Sequence, residues 1–114
     1  MHVLTDPLLA ECRDGAVALC PCCGLPVVAY GDNRVTLRPE QLLAMLHTVR
    51  QIGEAAAEPG ACWTWALRAK TDREDATFRL TADDAAALAD LLDEAAAVLA
   101  LDDMLSDVFQ SEPR

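Results

Sequence analysis

Apolar residues recur every three to four positions in two long stretches of the chain, and this spacing predicts two amphipathic helices. The first is predicted over about 39–52, with Pro39 in its first turn and Gly53 as the residue that ends it. The second is predicted to begin after Thr81, the N-cap, with Asp83 and Asp84 near the positive end of the helix dipole. The two apolar stripes consist of Leu42, Met45, Leu46, Val49 and Ile52, and of Leu88, Leu91, Leu92, Ala95, Val98 and Leu99.

Shorter stretches with alternating or continuous apolar residues predict strands ahead of each helix. One pair is predicted over 25–30 and 34–37 around a turn at 31–33, and another over 62–69 and 76–80 around a polar turn at 70–75. A further hairpin is predicted over 8–13 and 16–20 around Asp14-Gly15, a pair typical of two-residue turns. In that register Cys12 lies opposite Val17, and Cys20 lies opposite Leu9 on the other face.

This order of elements predicts an α+β fold, with antiparallel hairpins in one sheet and two main helices on one face. The chain is expected to form a single domain over 1–114. The segments 35–41 and 78–84 are similar at a constant offset of 43 residues, which favours an approximate internal ββα repeat with halves at about 16–53 and 61–100. Residues 54–60 are predicted to link the halves.

Apolar residues continue into the tail, 101–114, which is predicted to prolong the second helix or to form a short third one. The tail either packs on its own sheet or serves a second subunit or partner helix. Trp63 and Trp65 share one strand face and either fill the core or contact a partner. The candidate partner-binding residues are therefore Trp63, Trp65, Leu105 and Phe109.

The 114 residues include 9 basic and 19 acidic side chains, and the net charge of −10 argues against direct binding of nucleic acids or anionic membranes. A protein partner or a homo-oligomer fits this charge better. No signal peptide or apolar span is recognisable, and five cysteines, two of them adjacent, are typical of reduced thiols. The sequence thus predicts a cytoplasmic protein.

Three of the five cysteines occur in the run Cys20-Pro21-Cys22-Cys23-Gly24, which has the composition of a zinc knuckle. Cys20 and Cys23 are predicted to bind the metal, while Pro21 restricts the turn and Gly24 permits its tight exit so that amides point at sulfur. Cys22 is the odd thiol between them.

A tetrahedral zinc site needs two more ligands, and the chain has no second Cys-x-x-Cys pair. Cys62 and Cys12 are the first candidates, with Cys22, His47 or His2 as substitutes.

Two other interpretations of the cysteine turn stay open. One is thiol redox chemistry, which the strand-like residues after Gly24 disfavour because no helix dipole would activate Cys20. The other is a metal-free turn whose cysteines pack as small apolar residues.

The stretch from Cys20 to about Leu46 resembles small bacterial proteins of no established activity, in which a Cys-x-x-Cys-Gly turn precedes a strand, a turn, a strand and a helix. The cysteine run also resembles, locally, the opening of cysteine-rich domains named for their Cys-Pro-Cys-Cys sequence. These resemblances imply architecture and no activity. The residues that carry the first are Cys20, Cys23, Gly24, Tyr30, Gly31, Asn33, Leu37 and Glu40.

We therefore predict a small, acidic, non-enzymatic interaction or regulatory module that a structural zinc ion stabilises. The alternative is a protein that uses the Cys20–Cys23 cluster for thiol redox chemistry or for handling a soft metal such as copper(I) or zinc. A weaker alternative is an acidic inhibitor that mimics nucleic acid on a basic partner.

Overall fold

The computed structural model describes residues 8–58, 60 and 64–110, and the side chains of these residues as far as Leu101. Its elements confirm the α+β class. They are, in chain order, β1 (Leu8–Cys12), β2 (Gly15–Leu19), β3 (Pro26–Tyr30), β4 (Asn33–Thr36), α1 (Pro39–Ala56), β5 (Trp65–Lys70), β6 (Asp75–Leu80) and α2 (Ala82–Gln110).

The strands form two antiparallel sheets rather than the predicted single one. The first has the order β1-β2-β3-β4, and β5 pairs with β6 in the second. Strands β4 and β6 lie close together. A side chain contributes to this junction, because the backbone N–H of Thr36 in β4 donates to Oε1 of Glu74 at 2.6 Å.

The first hairpin has a different register from the predicted one. Its turn is formed by Arg13 and Asp14, so that Cys12 lies opposite Gly15, and the pairing shifts between Leu8 and Ala10. Gly15 belongs to β2, where it pairs with Cys12 and with Tyr30, and a side chain at this position would collide with its neighbours. An added Cβ would lie 2.5 Å from the carbonyl oxygen of Ala29 and 2.7 Å from Cδ1 of Tyr30. The predicted pairings of Cys12 and Cys20 were therefore wrong.

Helix α1 extends past Gly53 to Ala56, which corrects both its predicted end and the predicted start of the linker. Gly53 weakens a helix but does not force it to end, and the following Glu54, Ala55 and Ala56 favour the helical state. The predicted apolar stripe is confirmed for the four buried residues Leu42, Met45, Leu46 and Val49.

Helix α2 begins with the predicted cap. The backbone N–H of Asp84 donates to Oγ1 of Thr81 at 3.2 Å, and the N–H of Thr81 donates to Oδ2 of Asp84 at 3.0 Å. This reciprocal pair satisfies amide groups that the first helical turn leaves unpaired. The helix continues without a break to Gln110, so the tail prolongs α2 instead of forming a third helix.

The core lies where α1 and α2 pack on each other and on one face of the strands. Alternate residues of β3 and β6 are buried, and α2 contributes Leu88, Leu91 and Leu92 to the core.

The order strand, strand, helix occurs twice along the chain. The two helices begin at Pro39 and Ala82, which are separated by the same 43 residues as the similar sequence segments. Over the described ranges neither helix combines the length and apolarity needed to cross a membrane.

Candidate metal centre

The cysteine run forms the connection between β2 and β3, neighbouring strands that pair along their whole length. Two backbone hydrogen bonds close this connection. The N–H of Cys20 donates to the carbonyl of Leu25 at 2.8 Å, and the N–H of Gly24 donates to the carbonyl of Cys20 at 2.7 Å. Gly24 has a φ of 73°, a left-handed conformation that glycine adopts without strain. The turn is thus fixed by its own backbone.

This turn brings the thiols of Cys20, Cys22 and Cys23 together, with all three Sγ atoms within 4.8 Å of one another. The Sγ atoms of Cys20 and Cys22 are 3.0 Å apart. Zinc binds thiolate at about 2.3 Å, so two thiolates on one tetrahedral ion lie about 3.8 Å apart. The Cys20–Cys22 separation has to widen to reach this spacing, and the three cysteines together could hold a metal ion.

The predicted role of the backbone amides agrees with the electrostatics of Cys20. A hydrogen bond from the Cys22 thiol, together with bonds from the backbone N–H groups of Cys22 and Cys23, lowers the pKa of Cys20 to about 7. The same thiol bond raises the pKa of Cys22, which has to remain protonated to donate it. Cys20 is therefore the thiol of this pair that ionises first and meets an incoming cation as thiolate.

The three thiols belong to the lining of an open cleft of about 410 Å³. The turn between β5 and β6 also lines this cleft, and so do Thr36, Arg38 and Gln41. Cys22 and Cys23 are exposed and Cys20 is half-buried. A metal ion on these thiols would thus be accessible from solvent.

Two of the other predicted ligands, Cys12 and His47, are not part of this cluster. Cys12 is a half-buried free thiol that packs against the core at the Arg13-Asp14 turn, whereas Cys20 follows the opposite end of β2. His47 is exposed on α1 and does not belong to the thiol group. Cys62 and His2 lie outside the described residues. Within the described part of the chain, three thiols make up the cluster.

The predicted partner-binding residues are described only in part. Trp65 opens β5, pairs with Leu80 and is half-buried. Trp63 lies outside the described residues. Leu105 and Phe109 belong to α2 by their backbone, but their side chains are not among those described.

Sequence reasoning assigned Cys22 no primary part in the site, although the structure places its thiol against that of Cys20. The missed signal is the Cys-x-Cys spacing within a tight turn. Reasoning from the sequence also overlooked two long-range contacts. The hydroxyl of Tyr30 donates to Oδ1 of Asp84 at 2.9 Å, and Glu74 accepts from the backbone of Thr36.

No protein-family model, curated protein or solved structure matches this chain. The resemblance of its cysteine turn to those of small bacterial proteins stays a prediction.

Proposed function

We propose that this protein is a small non-enzymatic module that binds one zinc ion through Cys20, Cys22 and Cys23. The proximity of the three thiols carries the proposal. Thiolate ligands suit zinc, and the hydrogen bonds that lower the pKa of Cys20 favour the ionised form that zinc requires. If zinc binds the folded chain and not the unfolded chain, it stabilises the folded state by mass action. Because such thiols must stay reduced, we place the protein in the cytoplasm.

Three thiolates leave one position of a tetrahedral ion open. We propose that Cys62, a residue of a partner protein or water fills this position, since neither Cys12 nor His47 is part of the cluster. A site that opens onto the cleft beside Arg38 and Gln41 is accessible to water and to a residue of a partner protein.

Titration of the reduced, metal-free protein with cobalt(II), followed by displacement with zinc, tests the proposal. Cobalt thiolates absorb strongly in the near ultraviolet, and the intensity reports the number of bound sulfurs. We expect saturation at one cobalt per chain and loss of the absorption when zinc is added. Cys23→Ser should weaken the signal and the affinity, and Cys12→Ala, which alters a thiol outside the cluster, should leave both unchanged. Equal effects of the two substitutions would contradict the proposal.

Copper(I) is a second metal that soft thiolate ligands select, and a three-thiol cluster open to solvent favours this alternative. Competition decides between the two. If the protein keeps zinc in the presence of a copper(I) chelate buffered at a cytoplasmic free concentration, zinc is the resident ion. Replacement of zinc by copper under those conditions would favour soft-metal handling.

A second candidate function is interaction with another protein through α2. Val98 is 38% exposed and Leu101 is 57% exposed, on the same helix whose Leu91 and Leu92 are buried. Exposed large apolar side chains on a helix that extends past its own core are typical of contact surfaces. We propose that this end of α2, together with Leu105 and Phe109, contacts a protein partner or a second copy of the chain.

A further inference from the structure

The distance between the Cys20 and Cys22 thiols lies between the distances that two chemical states require. The Sγ atoms of Cys20 and Cys22 are 3.0 Å apart. A disulfide requires about 2.05 Å, whereas two thiolates on one zinc ion lie about 3.8 Å apart. The same pair can therefore reach either state with a movement of about 1 Å, and it cannot occupy both.

The setting of the pair favours such a change. Cys20 and Cys22 lie in the connection between β2, which ends at Leu19, and β3, which begins at Pro26. Neither residue therefore takes part in the pairing of the sheet. Cys22 is exposed and Cys20 is half-buried, which lets a small oxidant reach them. No strand has to move when the thiols approach each other. The change is thus confined to the turn.

We propose that a small-molecule disulfide oxidises Cys20 and Cys22 to an intramolecular disulfide and thereby releases the metal. This inference rests on the zinc site proposed above, since it describes how that site is regulated. The oxidised turn retains one thiol, that of Cys23, and a single thiolate in an exposed turn does not hold zinc at the affinity of three. Metal content would then follow the redox state of the surroundings.

The reaction balances as two thiol–disulfide exchanges. One thiolate of the pair attacks a sulfur of the oxidant RSSR, the S–S bond of the oxidant breaks, and RS⁻ leaves. The second thiolate attacks the protein sulfur of the mixed disulfide and expels the second RS⁻. Two electrons pass from the pair to the oxidant, and the two protons of the original thiols end on two molecules of RSH.

The test uses oxidised glutathione as the probe and begins with the reduced, metal-free protein. We expect a mass lower by two hydrogens, with no retained glutathione, and peptide mapping that joins Cys20 to Cys22. Cys22→Ser should abolish this product, while Cys12→Ala and Cys23→Ser should still form it. Stable glutathione adducts alone, or a disulfide that joins Cys20 to Cys23 or to Cys62, would overturn the inference.

The zinc-loaded protein gives the second readout. A chromogenic chelator should detect one zinc ion released for each disulfide formed, and reduced glutathione at the same thiol concentration should release none. Release without disulfide formation, or disulfide formation with zinc retained, would contradict the inference. If the chain binds no zinc, the proposed function fails, and the experiment on the metal-free protein still decides whether Cys20 and Cys22 form the disulfide.

Discussion

Gly15 and Gly53 have opposite surroundings, and alanine substitutions at the two positions should change stability in opposite directions. At Gly15 the new Cβ would lie 2.5 Å from the carbonyl oxygen of Ala29, so Gly15→Ala should destabilise the protein by about 1–3 kcal/mol. Around Gly53 nothing lies within 4 Å of an added Cβ, and Gly53→Ala should stabilise α1 by about 0.5–1 kcal/mol. Urea unfolding of both variants measures this, and a shift of the same sign in both would contradict the account.

Asp84 makes folding stability depend on pH. Its oxygens accept hydrogen bonds from the Thr81 backbone and the Tyr30 hydroxyl, and the Thr81 N–H is the main cause of its lowered pKa. A lowered folded pKa means that this stabilisation is complete above the ordinary value of 3.8 and is lost as pH falls through the folded pKa. Unfolding free energies at pH 7 and pH 3 should therefore differ less in Asp84→Asn than in the wild type. An equal difference in both proteins would show that Asp84 contributes nothing to the pH dependence.

Residue patterns predicted the part of the candidate site that is local in sequence. Cys20, Cys23 and Gly24 were recognised because a metal turn needs sulfur, a tight exit and free amides within a few residues. The bond between Tyr30 and Asp84 could not be predicted in this way, since it joins residues 54 positions apart. Only the packing of α2 on the first sheet brings them together.

At the scale of elements, the sequence predicted helix starts better than helix ends. Thr81 caps α2 through a side-chain bond within three residues, a local interaction that sequence spacing reveals. The end of α1 depends on whether the free energy cost of one glycine exceeds the helical preference of the residues after it. Here it does not, and the helix continues to Ala56.

Two leucines of α2 provide a matched pair for testing how far the core extends along this helix. Leu92 is fully buried and Leu101 is 57% exposed. Leu92→Ala should cost about 2–5 kcal/mol of unfolding free energy. At low protein concentration, Leu101→Ala should change it by no more than about 0.5 kcal/mol. Chemical denaturation checks both values.

The dependence of association and stability on protein concentration shows whether Leu101 is exposed to solvent or covered by a second copy of the chain. If the end of α2 contacts a second chain, sedimentation of the wild type should show association that Leu101→Glu abolishes. A large destabilisation by Leu101→Ala that does not depend on concentration would show that this part of α2 packs on its own chain, and would contradict the proposed contact surface.

At the scale of the whole molecule, the α+β class and the hairpins followed from local patterns, but the number of sheets did not. A hairpin is decided by its turn and by the alternation of its two strands. Whether β5 and β6 join the first sheet depends on the junction with β4, where the side chain of Glu74 accepts a hydrogen bond from the backbone N–H of Thr36. The edge of the first sheet is thus determined by contacts between residues far apart in the chain, which alternation patterns do not reveal.

The native mass of freshly purified, reduced protein is the most direct test of the central claim that the cysteine turn binds zinc. We predict one zinc ion per chain in the wild type and in Cys12→Ala, and a lower zinc occupancy in Cys23→Ser. The same spectrum gives the number of subunits. A folded wild-type chain that carries no metal, with all five thiols free, would contradict the claim.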